Sequence, residues 1–183
     1  MITKITNGVV QENCYIIQEN NNCVIIDPGY AFEQIMEYVK DNKIIIQGVL
    51  LTHGHFDHAK SGYELQKLGV KIYIHKLDAD KLYTDNNLSY IANQPFDYYH
   101  ADFLIDEGEL VVGDFEFDVI YTPGHSKGSV VYVYKNNVFC GDTIFEHGYG
   151  RYDFYDGNFH ELMESIKKLR IFDKKSYKLY YGH

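Results

Sequence analysis

The sequence predicts an α/β protein, two β-sheets with helices on their outer faces. Three observations carry this. In the first half of the chain, short apolar runs of strand length alternate with segments of helical period. From residue 103 onward, strand-like runs follow one another at hairpin spacing. One long amphipathic segment, 158-NFHELMESIKKLR-170, comes late and is followed by a last strand-like run, 177-YKLYY-181.

Taken in order, 2-ITKIT-6, 14-CYIIQ-18 and 23-CVIID-27 read as strands, and Asp27-Pro28-Gly29 ends the third as a turn. Helical period begins at 31-AFEQIMEYVKDN-42, with Phe32, Ile35, Met36 and Val39 on one stripe. A buried strand, 44-IIIQGVLLT-52, leads into a histidine cluster. A helix, 59-AKSGYELQKLG-69, follows and closes at Gly69. Next come a strand, 71-KIYIH-75, and a short helix, 76-KLDADKLY-83. Residues 85–99 are polar and aromatic without period, the pattern of a loop that lies over a site. Strands return at 103-FLID-106, 109-ELVV-112, 115-FEFDVIYT-122, 129-SVVYVY-134 and 137-NVFCG-141, with a turn at Asn136-Asn137.

At 183 residues the chain suits one domain, 1–183, large enough to bury a core. Its formal net charge of −9 argues against binding a phosphate backbone, which needs clustered cations. Lys167-Lys168 and Lys174-Lys175 read as surface groups. No apolar run approaches the ~18 residues that span a bilayer, and MITKITNGVV has no signal-like apolar stretch, so the expectation is a cytoplasmic protein without a membrane or nucleic-acid partner. Cys14, Cys23 and Cys140 are odd in number and lack CxxC spacing, which predicts buried structural thiols.

The chemistry concentrates in 49-VLLTHGHFDHAKSG-62, where His53, His55, Asp57 and His58 fall within six residues. On a helix, positions i and i+2 diverge by about 200° and cannot share an ion. On a strand, His58 would face away from the other three. A loop at a strand's carboxyl end, with Gly54 easing the backbone, can turn all four to one point. Imidazole and carboxylate donors without thiolates suit Zn(II) or iron. Four donors exceed what one catalytic zinc usually takes, and fall short of what two ions need. His125 in 121-YTPGHSKGS-129, Asp142 in 139-FCGDTIF-145 and His183 in 180-YYGH-183 each end a strand-like run beside glycine, and they supply further candidates.

THGHFDH, TPGHSKGS, CGDTIF and YYGH, in this order and preceded by 23-CVIIDPG-29, closely resemble the metallo-β-lactamase superfamily. The resemblance spans nearly the whole chain and implies a four-layer αββα sandwich. The stretch 141-GDTIFEHGYGRYDFYDG-157 is similar to the hydroxyacylglutathione hydrolase (glyoxalase II) group, in its short single-domain form. That likeness implies two divalent ions, zinc first, with iron or manganese admitted. His53, His55 and His125 would hold one. Asp57, His58 and His183 would hold the other, and Asp142 would bridge them. Asp27 matches an aspartate that supports the ligand loops. His75, His100, His147 and His160 match no ligand position, and His147 is expected near the pocket rim. Lys127 stands where relatives often carry an uncharged residue, and reads as an exposed turn lysine.

The implied activity is hydrolysis of a small thioester, such as an S-2-hydroxyacylglutathione or another thiol conjugate, by hydroxide held between two ions, with Asp57 aiming it. A mononuclear iron persulfide dioxygenase is the alternative. It shares a Gly-Arg-x-Asp-Phe stretch, here residues 150–154, and would use His53, His125 and Asp142 alone. Lactone hydrolysis shares the ligand set. Nuclease activity fits poorly with the acidic charge, and no β-lactam contact motif is recognisable. The chain stops at His183, without the Gly-Pro-x-Thr segment, further helix or glutathione-binding extension of relatives, so a shortened C-terminus is expected.

Overall fold

The computed structural model describes residues 1–173 and 176–183; the expectation for Lys174-Lys175 lies outside them. Eleven strands among the described residues form two sheets. The first orders β1 (Ile2–Asn7), β2 (Glu12–Glu19), β3 (Asn22–Ile26), β4 (Ile45–Leu50), β5 (Ile72–His75) and β6 (Phe103–Ile105) in sequence. Its first three strands are antiparallel and the rest join β3 in parallel. The second sheet runs β11 (Lys178–Tyr180), β10 (Asn137–Phe139), β9 (Val130–Tyr134), β8 (Phe115–Tyr121) and β7 (Gly108–Val112). Its pairs are antiparallel except β10 with β11.

Strand alternation builds the layers. Along β2 and β3, Ile16, Cys23 and Ile25 face outward. There they pack with Ile35 of α1 (Phe32–Asn42) and Leu65 of α3 (Gly62–Lys67). Tyr15, Ile17, Val24 and Ile26 face inward, against Phe115, Phe117, Val130 and Tyr132 of the second sheet. Val131, Val133 and Val138 face the other way, onto Leu169 and Phe172 of α4 (Phe159–Asp173). The result is the αββα sandwich. All three cysteines are free and buried in the two outer apolar layers.

Two local expectations change. The helix placed at residues 59–69 starts earlier, as α2 (Phe56–Ala59), and is interrupted before α3. The cause is Ser61, whose backbone N–H and hydroxyl both donate to Gly29 O, at 2.8 and 2.6 Å, and leave the helical ladder. Gly69 does follow the helix in a left-handed conformation (φ +89°). The turn between β9 and β10 falls at Lys135-Asn136, one residue early, with Lys135 at φ +54°.

Candidate metal centre

Each site residue follows the carboxyl end of a strand, where a loop can aim side chains away from the sheet. His53 and His55 follow β4, His125 follows β8, Asp142 follows β10 and His183 follows β11. Asp57 and His58 sit on α2, not on a loop, and turn into the site from its single turn. Gly54 acts differently from expectation. It is not a positive-φ residue; a Cβ there would meet Lys81 Cβ at 2.7 Å and Asp78 O at 2.8 Å, so it supplies clearance.

All seven expected residues come together. His53, His55 and His125 form one group of donor atoms and Asp57, His58 and His183 another, each within 4.8 Å, and a third, His53, His58 and Asp142, overlaps both. His125 Nε2 lies 3.2 Å from His53 Nε2 and 3.0 Å from His55 Nδ1. Asp142 spans the groups, with Oδ1 3.2 Å from His58 Nε2 and Oδ2 3.5 Å from His125 Nε2 and 3.6 Å from His183 Nε2. His183 Nε2 is 3.4 Å from Asp57 Oδ2.

The far ring nitrogens are pinned, which fixes which nitrogen faces the centre. His58 Nδ1 donates to Asp27 Oδ2 at 3.0 Å, His125 Nδ1 to Arg151 O at 2.7 Å, and His183 Nδ1 to Val10 O at 3.0 Å. His53 Nδ1 meets Thr52 Oγ at 3.1 Å. Asp27 also accepts from Thr52 N–H at 2.7 Å and from its hydroxyl at 2.6 Å, so it ties β3, the ligand loop and α2 together.

Electrostatics divide the centre. Burial, with neighbouring imidazoles adding to it, holds His53 and His55 well below the usual histidine range, so both are neutral donors. Burial also lowers His58 and His183, but nearby carboxylates outweigh it: Asp142, Asp57 and Asp27 for His58, Asp57 and Asp142 for His183. Both are raised. For Asp142 burial opposes ionisation, yet His58, His125 and His183 overcome it and hold the carboxyl below its ordinary range.

The donor set passes a simple test of fit for cations. His55 Nε2, His58 Nε2 and Asp142 Oδ1 are buried without a hydrogen-bond partner among the described residues. Imidazoles packed nitrogen to nitrogen at 3.0–3.2 Å, beside ionised carboxylate, are satisfied by divalent ions.

A family comparison matches residues 7–183 to the description "Metallo-beta-lactamase superfamily". The chain belongs to this superfamily. It is 35% identical over 165 residues to "Probable metallo-hydrolase YqgX" of Bacillus subtilis, covering 87% of this chain and 78% of that protein. It is 33% identical over 168 residues to "Hydroxyacylglutathione hydrolase GloC" of Haemophilus influenzae, covering 86% and 78%. Among solved structures it superposes on the BLEG-1 B3 metallo-beta-lactamase with TM-score 0.94 at 31% identity, covering 100% of this chain and 91% of the other. TTHA1623 in a di-iron-bound form gives TM-score 0.87 at 28% identity, covering 99% and 91%. The His/Asp cluster is the metal-binding site of a superfamily of metallohydrolases.

Several residues escaped sequence reading. Asp78, fully buried after β5, accepts from Gly54 N–H (2.8 Å), Ser126 hydroxyl (2.8 Å), Gly128 N–H (2.6 Å) and Lys81 (2.9 Å). It thereby clamps the His53–His55 loop to the His125 loop. Buried Lys81 continues to Asp156 at 2.6 Å, which also accepts the Lys127 N–H at 3.0 Å. A lone Asp and Lys at i and i+3 read as an ordinary surface helix pair, so no local signal marked them. Lys127 is exposed, as expected, while exposed His147 does not line the cavity beside the centre.

Glu12, at the start of β2, is fully buried, and neither side-chain oxygen has a hydrogen-bond partner among the described residues. Burial raises its pKa well above the carboxylate range, with Asp27, Asp57 and Asp142 adding to the effect against His58. The folded state therefore holds a proton that the unfolded chain releases. The associated stability is full below the unfolded pKa and is lost as pH rises toward the folded one. Glu12→Gln is expected to raise the melting temperature of the metal-free protein near about pH 7 but not near about pH 4; an equal shift at both would contradict a buried, protonated Glu12.

Proposed function

We propose that the chain is a dinuclear metallohydrolase of small acyl thioesters. The observation that carries this reading is Asp142, whose carboxylate reaches both donor groups, Oδ1 toward His58 and Oδ2 toward His125 and His183. His53, His55 and His125 would hold one ion, Asp57, His58 and His183 the second, and Asp142 both. Bound there, divalent ions supply Lewis acidity and an ionised nucleophile near neutral pH.

The chain's own residues do the rest. Asp57 lines the cavity beside the centre, where its carboxylate accepts a hydrogen bond from the attacking water and orients it. Asp27 and Arg151 O keep His58 and His125 in the tautomer that presents Nε2. Phe154 packs edge-on against His55 and His125, at 5.2 and 5.8 Å, and keeps water from that side. In the overall step the water oxygen bonds the carbonyl carbon, the carbon–sulfur bond breaks, and the water's two protons go to the departing sulfur and to solvent. The departing thiolate, with a thiol pKa of ~8.5, needs no strong general acid. The likeness to a hydroxyacylglutathione hydrolase supports the thioester. The likeness to a B3 metallo-beta-lactamase makes opening of a β-lactam amide the second reading.

The test is metal content followed by three assays on one sample: thioester hydrolysis, hydrolysis of a chromogenic cephalosporin, and persulfide-dependent oxygen uptake. Two ions per chain with thioester turnover is the expected result. One iron with oxygen consumption would move the chain to the dioxygenase reading instead.

His183 offers a finer check. Its side chain is 25% exposed, whereas His53, His55 and His125 of the first group are enclosed, so the second group is the more accessible at that ligand. His183→Ala is expected to retain about one ion and to lose on the order of 10²-fold in activity. Loss of both ions together would argue against two separable sites.

A further inference from the structure

A cavity of about 310 Å³ opens beside the centre, at the small end of the range for ligand pockets. Apart from the proposed ligands, its wall is apolar but for one residue. Val10 comes from the β1–β2 turn, Leu88, Ile91 and Ala92 from the segment between β5 and β6, and Phe145 from the loop after Asp142. The exception, Arg151, is largely exposed and already holds a carboxylate: Nε and Nη2 donate to the two oxygens of Asp153 at 2.9 and 2.8 Å, and the guanidinium lies 4.5 Å from the Phe154 ring centroid.

Two further observations mark this wall as built for a ligand. Leu88 lies at φ +68°, a left-handed conformation that a leucine rarely takes. It is held there by Leu88 N–H to Asp85 O and Ile91 N–H to Leu88 O, both at 3.0 Å. Val10 and Ile91 meanwhile stand 43% and 56% exposed, an apolar rim of the kind that marks binding sites.

We propose that the substrate's non-reacting portion is an uncharged apolar acyl chain, carried on a neutral thiol, and is not an ionic peptide conjugate. A glutathione moiety brings two carboxylates and an ammonium, each costly to desolvate without a partner. Beyond the proposed metal centre the wall offers them one cation, Arg151, which already holds Asp153, on a chain of net charge −9. An aliphatic chain against Val10, Leu88 and Ile91 gains from every buried methylene instead.

This inference rests on the hydrolytic reading, and the experiment separates the two. The metal-loaded protein is assayed with acetyl, butyryl and hexanoyl thioesters of N-acetylcysteamine, a neutral thiol, and with the same acyl groups on glutathione. We expect kcat/KM to rise about fourfold per methylene and to favour the neutral carrier at least about tenfold at equal chain length. Ile91→Asp, at the exposed rim, should flatten the chain-length series. Binding of non-hydrolysable thioether analogues is measured in parallel by calorimetry, where the hexyl compound on the neutral carrier should bind tighter than S-hexylglutathione with a negative heat-capacity change. A flat chain-length series or tighter binding of the glutathione compound overturns the proposal. Binding in the expected order without turnover leaves it standing and removes the hydrolytic reading.

Discussion

Replacing Asp142 with alanine is expected to abolish hydrolysis while leaving a folded chain. Among the described residues Asp142 is the carboxylate placed against both donor groups, with His58, His125 and His183 within 3.2–3.6 Å. On the dinuclear reading its loss removes a ligand from each ion, together with the anion that offsets the crowded imidazoles. The drop should exceed about 10³-fold, more than the loss of a single oxyanion-stabilising donor. The fold should persist because Asp142 is outside all three apolar layers. Metal analysis with circular dichroism checks both halves. A variant that keeps two tightly bound ions would reject the bridging role.

The second large effect concerns Asp78, which touches no proposed ligand ring. Asp78→Ala leaves Lys81 buried with one partner and frees Gly54, Ser126 and Gly128 together. Breaking a buried pair by removing one member costs about 3–5 kcal/mol, a large share of the stability of a domain. Asp78→Asn keeps the shape and should fold. There the expectation is selective: affinity for the ion held by His53, His55 and His125 falls on the order of 10–100-fold, while the ion at Asp57, His58 and His183 is retained. Stepwise cobalt titration followed by absorption spectroscopy separates the two. Equal weakening of both would reduce Asp78 to general scaffolding.

Metal removal gives a milder expectation. Divalent ions that bind only the folded state would stabilise it by mass action, so chelation should lower the melting temperature by an amount that grows with free metal concentration. The αββα layers should remain, since no proposed ligand belongs to them.

Much of this was legible in the residues. Ile16 against Tyr15 and Ile17, or Val131 against Tyr132, assign their faces by alternation alone, because a strand's period is fixed by its backbone. The cluster His53, His55, Asp57, His58 was legible because donor chemistry is local and dense. The break between α2 and α3 was not: the ladder is redirected by Ser61 onto Gly29, a partner from another loop. Asp78 escaped for the same reason, since its bonds run to residues 24, 48 and 50 positions away.

The sequence by itself therefore determined the donor types, their order, and the strands that end beside them, all consequences of short-range periodicity and side-chain chemistry. Only the tertiary structure decided which donors share a group, which carboxylate lies between the groups, and what covers them. Those depend on loops from six strands converging at one edge of two packed sheets. Apolar residues as unremarkable as Val10, Leu88 and Ile91 become a substrate wall only when folding brings them to the same few ångströms of space.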